Sequence, residues 1–124
     1  LIEDKIIGVL GIAFKPDTND TREAPSITII NKFLELGAEV RAYDPVVKKC
    51  PREMDDKVII ANDIYETVKN ADLLILVTEW PEFLNLDFNK VFSLMKSPNI
   101  IDARNMLNKK KLTELGFNYR GIGI

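Results

Sequence analysis

The sequence contains no histidine. That absence removes the side chain most often used as a general base and the commonest zinc ligand. A single cysteine, Cys50, is present, so no disulfide can close within the chain, and a reducing compartment, the cytoplasm, is expected. Neither sign of charge is in strong excess: 17 lysines and arginines face 19 aspartates and glutamates, a formal net charge of −2. This balance argues for neither nucleic acid nor an anionic membrane as a partner. No apolar run approaches the ~18 residues of a membrane-spanning helix, and no signal peptide is visible. The dinucleotide fingerprint G-x-G-x-x-G is also missing. Gly8 and Gly11 are there, but Phe14 and Lys15 stand where the tight glycine turn belongs.

What remains is an ordinary folded composition. The 124 residues are 46% hydrophobic and 29% charged, which suits one domain, residues 1–124, with one core. The chain opens Leu-Ile-Glu-Asp-Lys without a methionine, moves at once into an apolar run, and stops at Gly-Ile-Gly-Ile. It is expected to be one domain of a larger enzyme. Apolar runs at 5–10, 38–43, 58–61, 72–77 and 99–101, with a last edge segment at 117–120, read as strands. Between them, 26–36, 64–70, 87–95 and 109–115 carry helical spacing. Pro25 stands in the first turn of the first helix, Gly37 and Gly116 stand at stops, and Asp63 and Asp87 stand as caps. Residues 46–57 read as a loop with a short helix, and 78–86 as a loop. Strands alternating with helices imply an α/β, three-layer Rossmann-like domain with a mainly parallel sheet of about six strands.

In such a sheet, ligands sit beyond the carboxyl ends of the strands. Three loops fall there: Gly11–Pro25, Thr78–Leu86 and Asp102–Asn105. The first is roughly twice the usual strand-to-helix length of about 2–6 residues and is pinned by Pro16 and Pro25. It carries Lys15 and Arg22, which suit a phosphate as point charge and bidentate fork respectively. Asp17, Asp20 and Glu23 offer the other reading, an exposed ion-pair network, and the residues alone leave both open. Trp80 and Phe83, with Glu79, read mainly as loop packing and alternatively as a base or sugar pocket. Arg104 reads as a phosphate ligand or as the structural partner of Asp102. Asp44 lies too far along, before Pro45, for the usual ribose-binding acid and reads as a turn residue. Lys48, Lys49 and Arg52 beside Cys50 suggest a lowered thiol pKa, but with no histidine a nucleophilic role is not expected. Lys109–Lys111 reads as a solvated helix face.

Five segments, in order, carry a resemblance. They are Gly-Ile-Ala-Phe-Lys-Pro-Asp-Thr-Asn-Asp-Thr-Arg-Glu-Ala-Pro at 11–25, Gly-Ala-Glu-Val-Arg-Ala-Tyr-Asp-Pro at 37–45 and Val-Thr-Glu-Trp-Pro-Glu-Phe at 77–83. Ile-Asp-Ala-Arg-Asn at 101–105 and Gly-Phe-Asn-Tyr-Arg-Gly-Ile-Gly at 116–123 complete the set. Together they resemble the C-terminal domain of the UDP-glucose/GDP-mannose dehydrogenase family, and the Thr-Glu-Trp segment looks most like members acting on UDP-glucose. The resemblance implies an enzyme with an N-terminal NAD-binding domain, a central dimerisation region and this UDP-binding domain, assembled as a homodimer or higher. It would oxidise the sugar C6 alcohol to a carboxylate with two NAD, through a cysteine of the central region, so that Cys50 does not inherit that role. Phe14, Lys15 and Arg104 match substrate contacts, and Arg22 matches a contact to NAD. Relatives acting on UDP-N-acetylmannosamine or GDP-mannose, and a non-catalytic nucleotide-binding module, are the alternatives. The family's usual Asp-Gly-Arg is Asp-Ala-Arg here, so a loop needing positive φ at Ala103 would have to adjust.

Overall fold

A computed structural model describes residues 2–13, 21 and 24–122. Six strands, β1 (Ile6–Leu10), β2 (Glu39–Tyr43), β3 (Ile59–Ile60), β4 (Leu73–Leu76), β5 (Asn99–Asp102) and β6 (Asn118–Gly121), form one sheet in the order β3-β2-β1-β4-β5-β6. Every pairing is parallel. The order reverses between β1 and β4, which puts the switch point of a doubly wound sheet there.

The sheet is covered on both faces, and the period-two pattern of the strands explains how. On β1, Ile7 and Val9 point to one face and Leu10 to the other; on β4, Ile75 opposes Leu74 and Leu76. The Ile7 face is closed by α1 (Pro25–Glu35) through Ile27, Ile30, Phe33 and Leu34, and by Val47, Met54 and Val58 of the long β2–β3 connection. The Leu10 face is closed by α2 (Ile64–Val68), α3 (Pro81–Leu84), α4 (Phe88–Leu94) and α5 (Lys109–Leu115). The core therefore has two halves, one on each side of the sheet.

Local chemistry sets the helix ends. Pro25 occupies the first turn of α1, and Gly37, at φ +92°, follows its end. Asp63 caps α2 by accepting from the Tyr65 N–H, and Asp87 caps α4 by accepting from the Lys90 N–H. α2 stops at Val68, earlier than its periodicity suggests. Asn70 takes φ +60°, and the last carbonyls of the turn, Glu66 O and Lys69 O, accept from Arg41 Nη1 instead. The four residues of α3 fall inside an expected loop. Pro81 starts them, and one turn is too short to show a helical period. Residues 46–57 contain no helix.

Two glycines face different costs. Gly11 sits at φ +103°, and a Cβ there would lie 2.5 Å from Thr78 Oγ1 and 2.7 Å from Thr78 N. At Gly37 the nearest atom to an added Cβ is the flexible Glu3 Cγ, at 3.2 Å. Gly11→Ala is expected to cost roughly 2–4 kcal/mol, from left-handed strain plus overpacking, and Gly37→Ala about 1 kcal/mol. Urea unfolding of the two variants measures this, and equal losses would contradict the close approach at Gly11.

Candidate functional site

Because the strands are parallel, their carboxyl ends share an edge. Tyr43, Leu10, Leu76, Asp102 and Gly121 lie in one row of register across β2, β1, β4, β5 and β6. The residues just beyond that row form the rim, and lateral ties join each rim segment to the next.

The first tie is Asp44, fully buried just after β2. Its Oδ2 accepts from the N–H groups of Ile12 (2.8 Å) and Ala13 (2.9 Å), and its Oδ1 from those of Val46 (2.9 Å) and Val47 (3.0 Å). Asp44 is thus the expected turn residue, and it also holds the segment after β1. The carbonyls of that segment are taken as well. Ser26 Oγ donates to Ile12 O (2.7 Å) and Thr78 Oγ1 donates to Ala13 O (2.8 Å), with both hydroxyls buried. All four backbone polar groups of Ile12 and Ala13 are therefore satisfied by side chains from α1 and from the segments after β2 and β4.

The next tie runs between the segments after β4 and β5. Arg104 Nε donates to Glu79 Oε1 at 2.9 Å, and Nη2 donates to the same oxygen. The side chains are 42% and 48% exposed, so this pair stabilises the fold little. The expected alternative partner of the Arg104 head, Asp102, is corrected. The Asp102 carboxylate is buried and accepts instead from the backbone N–H of Arg104 (3.1 Å), from Leu107 N–H (2.8 Å) and from Tyr119 Oη (2.8 Å). The last tie is Asn105, whose side-chain amide accepts from Ile122 N–H and donates to Ile122 O, each at 2.7 Å. Asn105 takes the positive φ of this turn, +52°, and Ala103 does not, so the Asp-Ala-Arg sequence needs no left-handed alanine.

Of the residues singled out by sequence, Phe14, Lys15 and Arg22 lie outside the described residues. Arg104 is at the rim as expected. Trp80 and Phe83 are buried in the core, which bears out packing over a pocket, and Trp80 Nε1 has no hydrogen-bond partner among the described residues. The basic neighbours do not lower the Cys50 thiol. Burial pushes its pKa up, and Asp56 and Asp55 add to the rise. Lys109–Lys111 is exposed. Sequence reasoning missed the linking role of Asp44 and the pairing of Glu79 with Arg104, because both join segments far apart in the chain.

An NAD of the ordinary Rossmann kind does not fit this rim. The acid at the end of β2 must have a free oxygen for a ribose hydroxyl, and both Asp44 oxygens already accept two N–H bonds each. Among the described residues no group of three or more His, Cys, Asp or Glu is placed to hold a metal ion, and no helix is long and apolar enough to cross a membrane.

Two tyrosines report on the rim. Burial first, and then the Glu82 carboxylate that accepts from its hydroxyl, push Tyr43 up to about 12. Burial and then Asp102 do the same for Tyr119, to about 12. Each phenol is held neutral in the fold, so the stability they contribute is complete below pH 10 and falls as pH rises toward 12. An ultraviolet absorbance titration is expected to show two of the three tyrosines ionising near 12, together with unfolding. Two phenols titrating near 10 in folded protein would contradict this. Asp44→Asn leaves at least two of the four N–H donors without an acceptor and is expected to cost roughly 2–4 kcal/mol in denaturant unfolding. A loss under about 0.5 kcal/mol, the range of ordinary surface changes, would contradict the clamp.

The geometry has close counterparts. Residues 8–109 match the model of the UDP-glucose/GDP-mannose dehydrogenase family, UDP binding domain. The chain is 40% identical over 117 residues to UDP-glucose 6-dehydrogenase of Rhizobium meliloti, covering 94% of this chain and 27% of that protein. It is 37% identical over 123 residues to UDP-glucose 6-dehydrogenase TuaD of Bacillus subtilis, covering 98% and 27%. Among solved structures, an NDP-N-acetyl-D-galactosaminuronic acid dehydrogenase from Methanosarcina mazei superposes with a TM-score of 0.84 at 32% identity, covering 98% of this chain and 25% of that one. A UDP-glucose dehydrogenase from Pyrobaculum islandicum gives 0.75 at 30% identity, covering 96% and 25%. The chain thus spans about a quarter of the length of the relatives it matches. With the family's segments in order along a sheet of matching topology, this chain belongs to the UDP-glucose/GDP-mannose dehydrogenase family and is its UDP-binding domain.

Proposed function

We propose that this domain is part of an NAD-dependent UDP-glucose 6-dehydrogenase, which oxidises UDP-glucose to UDP-glucuronate, and that Phe14, Lys15 and Arg104 hold the sugar nucleotide at the rim. In this reading the domain binds and positions, and it does not carry the reacting thiol. Lys15 and Arg104 grip the diphosphate and present the sugar C6, at the far end of the ligand, to the rest of the enzyme. Binding energy gathered far from the reacting carbon raises the rate of the chemical step when it fixes geometry. NAD, held mainly by the N-terminal domain and reached from this chain by Arg22, accepts the two hydrides. The complete enzyme is a homodimer or larger.

One observation above all supports the reading. All four polar groups of Ile12–Ala13 are held by buried side chains, so the segment bearing Phe14 and Lys15 starts from a fixed point on the rim that also carries Arg104. The UDP-glucose reading over other sugars rests on Thr78-Glu79-Trp80 and on the names of the relatives at 35–40% identity.

The test uses the complete enzyme. Lys15→Ala is expected to weaken UDP binding, measured by calorimetry, roughly tenfold to a hundredfold, the worth of one hydrogen bond to a charged group, with the melting temperature unchanged. Unaltered affinity would remove Lys15 from the site. Across a panel of nucleotide sugars, UDP-glucose is expected to give the highest kcat/KM. A preference for an acetamido sugar or GDP-mannose would move the enzyme to another branch of the family, and UDP binding with no oxidation of any sugar would favour a non-catalytic module.

A further inference from the structure

We infer that Glu79 is a positioning residue, which holds Arg104 in the orientation that receives the diphosphate. The inference rests on the reading of Arg104 as a substrate contact and adds a residue to that site. Glu79 uses a single oxygen, Oε1, to accept from both Nε and Nη2, so it engages one edge of the guanidinium and fixes its plane. The opposite edge, with Nη1, makes no hydrogen bond among the described residues, and the side chain is 42% exposed. A guanidinium edge of two parallel N–H groups matches two oxygens of a phosphate.

The base of Arg104 is fixed as firmly as its head. Its backbone N–H is tied to Asp102, which Leu107 N–H and Tyr119 Oη hold in turn, and the next residue, Asn105, is locked to Ile122 at both ends of its amide. An arginine fixed at both ends, with one edge open at the carboxyl rim, has already lost rotamer freedom that binding would otherwise take. Glu79 also neutralises the arginine's charge, so Arg104 acts on the ligand as a directed donor more than as a long-range field. Glu79 and a phosphate would occupy different edges of the guanidinium, which makes Glu79 a support for the ligand contact and not its competitor.

The experiment is a double-mutant cycle in the complete enzyme with Glu79→Ala and Arg104→Ala, read by calorimetry with UDP and by KM and kcat for UDP-glucose. Glu79→Ala is expected to weaken UDP about three- to tenfold and to lower kcat/KM for UDP-glucose by a similar factor, and to add nothing in the Arg104→Ala background, as for two residues acting as one unit. Glu79→Gln keeps an acceptor oxygen and is expected to recover most of the loss. Two outcomes would overturn the inference and leave the function standing. One is a Glu79→Ala variant that binds UDP as well as or better than wild type while Arg104→Ala weakens it; the other is a Glu79→Ala loss that persists in the Arg104→Ala background. A normal Arg104→Ala affinity would instead remove Arg104 from the site, and this inference with it.

Discussion

The structure depends on how two residues of backbone are held. Pro45 ends β2 directly after Asp44, so the ladder between β1 and β2 closes with Gly11 N–H donating to Tyr43 O. The next two donors, on Ile12 and Ala13, have no strand to meet. They are buried, and a buried N–H without an acceptor costs about 1–3 kcal/mol. The Asp44 side chain takes the place of the missing strand. A carboxylate buried as completely as this one would itself be prohibitive if unpaired, so each side of the arrangement requires the other. The carbonyls point away toward α1 and β4, where one hydroxyl, on Ser26 or Thr78, meets each. Gly11 completes the constraint, since only a residue without a Cβ lets β1 pass this close to Thr78.

This clamp also explains why the domain has a Rossmann topology without a Rossmann cofactor site. In an ordinary dinucleotide-binding half, the glycine turn after β1 and the acid at the end of β2 are left for the ligand. Here the equivalent acid is spent on the protein's own backbone, and the fourteen residues 11–24 separate β1 from α1. The topology still delivers every strand's carboxyl end to one edge. What changes is the owner of the polar groups there. The same strand order can therefore serve a different ligand, and the function has to be read from the rim and not from the fold.

Much of the fold was legible because its signals are local. Asp63 and Asp87 sit within three residues of the N–H groups they cap, Pro25 and Gly37 bracket α1, and the apolar runs at 6–10 and 73–76 announce buried parallel strands. Features carried by tertiary partners were not. α2 ends early because Arg41, from a neighbouring strand, takes its last carbonyls. Arg104 stands two positions from Asp102 in sequence, yet its head turns 25 residues back to Glu79 while Asp102 serves the backbone. The three basic residues around Cys50 suggested an activated thiol, but the groups that act on it are burial and the aspartates of the same turn. Ala103 looked like a defect against the family pattern, and the left-handed position proved to be Asn105. For the rim, the sequence indicated which segments follow the strands' carboxyl ends and that Arg104 stands there; it held no trace of the ties that join them.

The ties differ in kind along the rim, and the difference separates groups the fold has used up from groups still open to solvent. Those at Asp44, Ser26 and Thr78 are buried; both Asp44 oxygens accept two bonds each, and the one O–H of each hydroxyl is already given to the backbone. Those at Glu79–Arg104 and Asn105–Ile122 are exposed, and the guanidinium keeps an open edge. Stability accordingly resides on the β2–β1–β4 side, where removing one partner orphans buried groups, whereas on the β4–β5–β6 side removing one partner only frees a solvated side chain. The segment that follows Ala13 leaves from the first kind of tie, and Arg104 belongs to the second. A sugar nucleotide held between them would thus rest on one anchor that the fold cannot give up and one that it can tune.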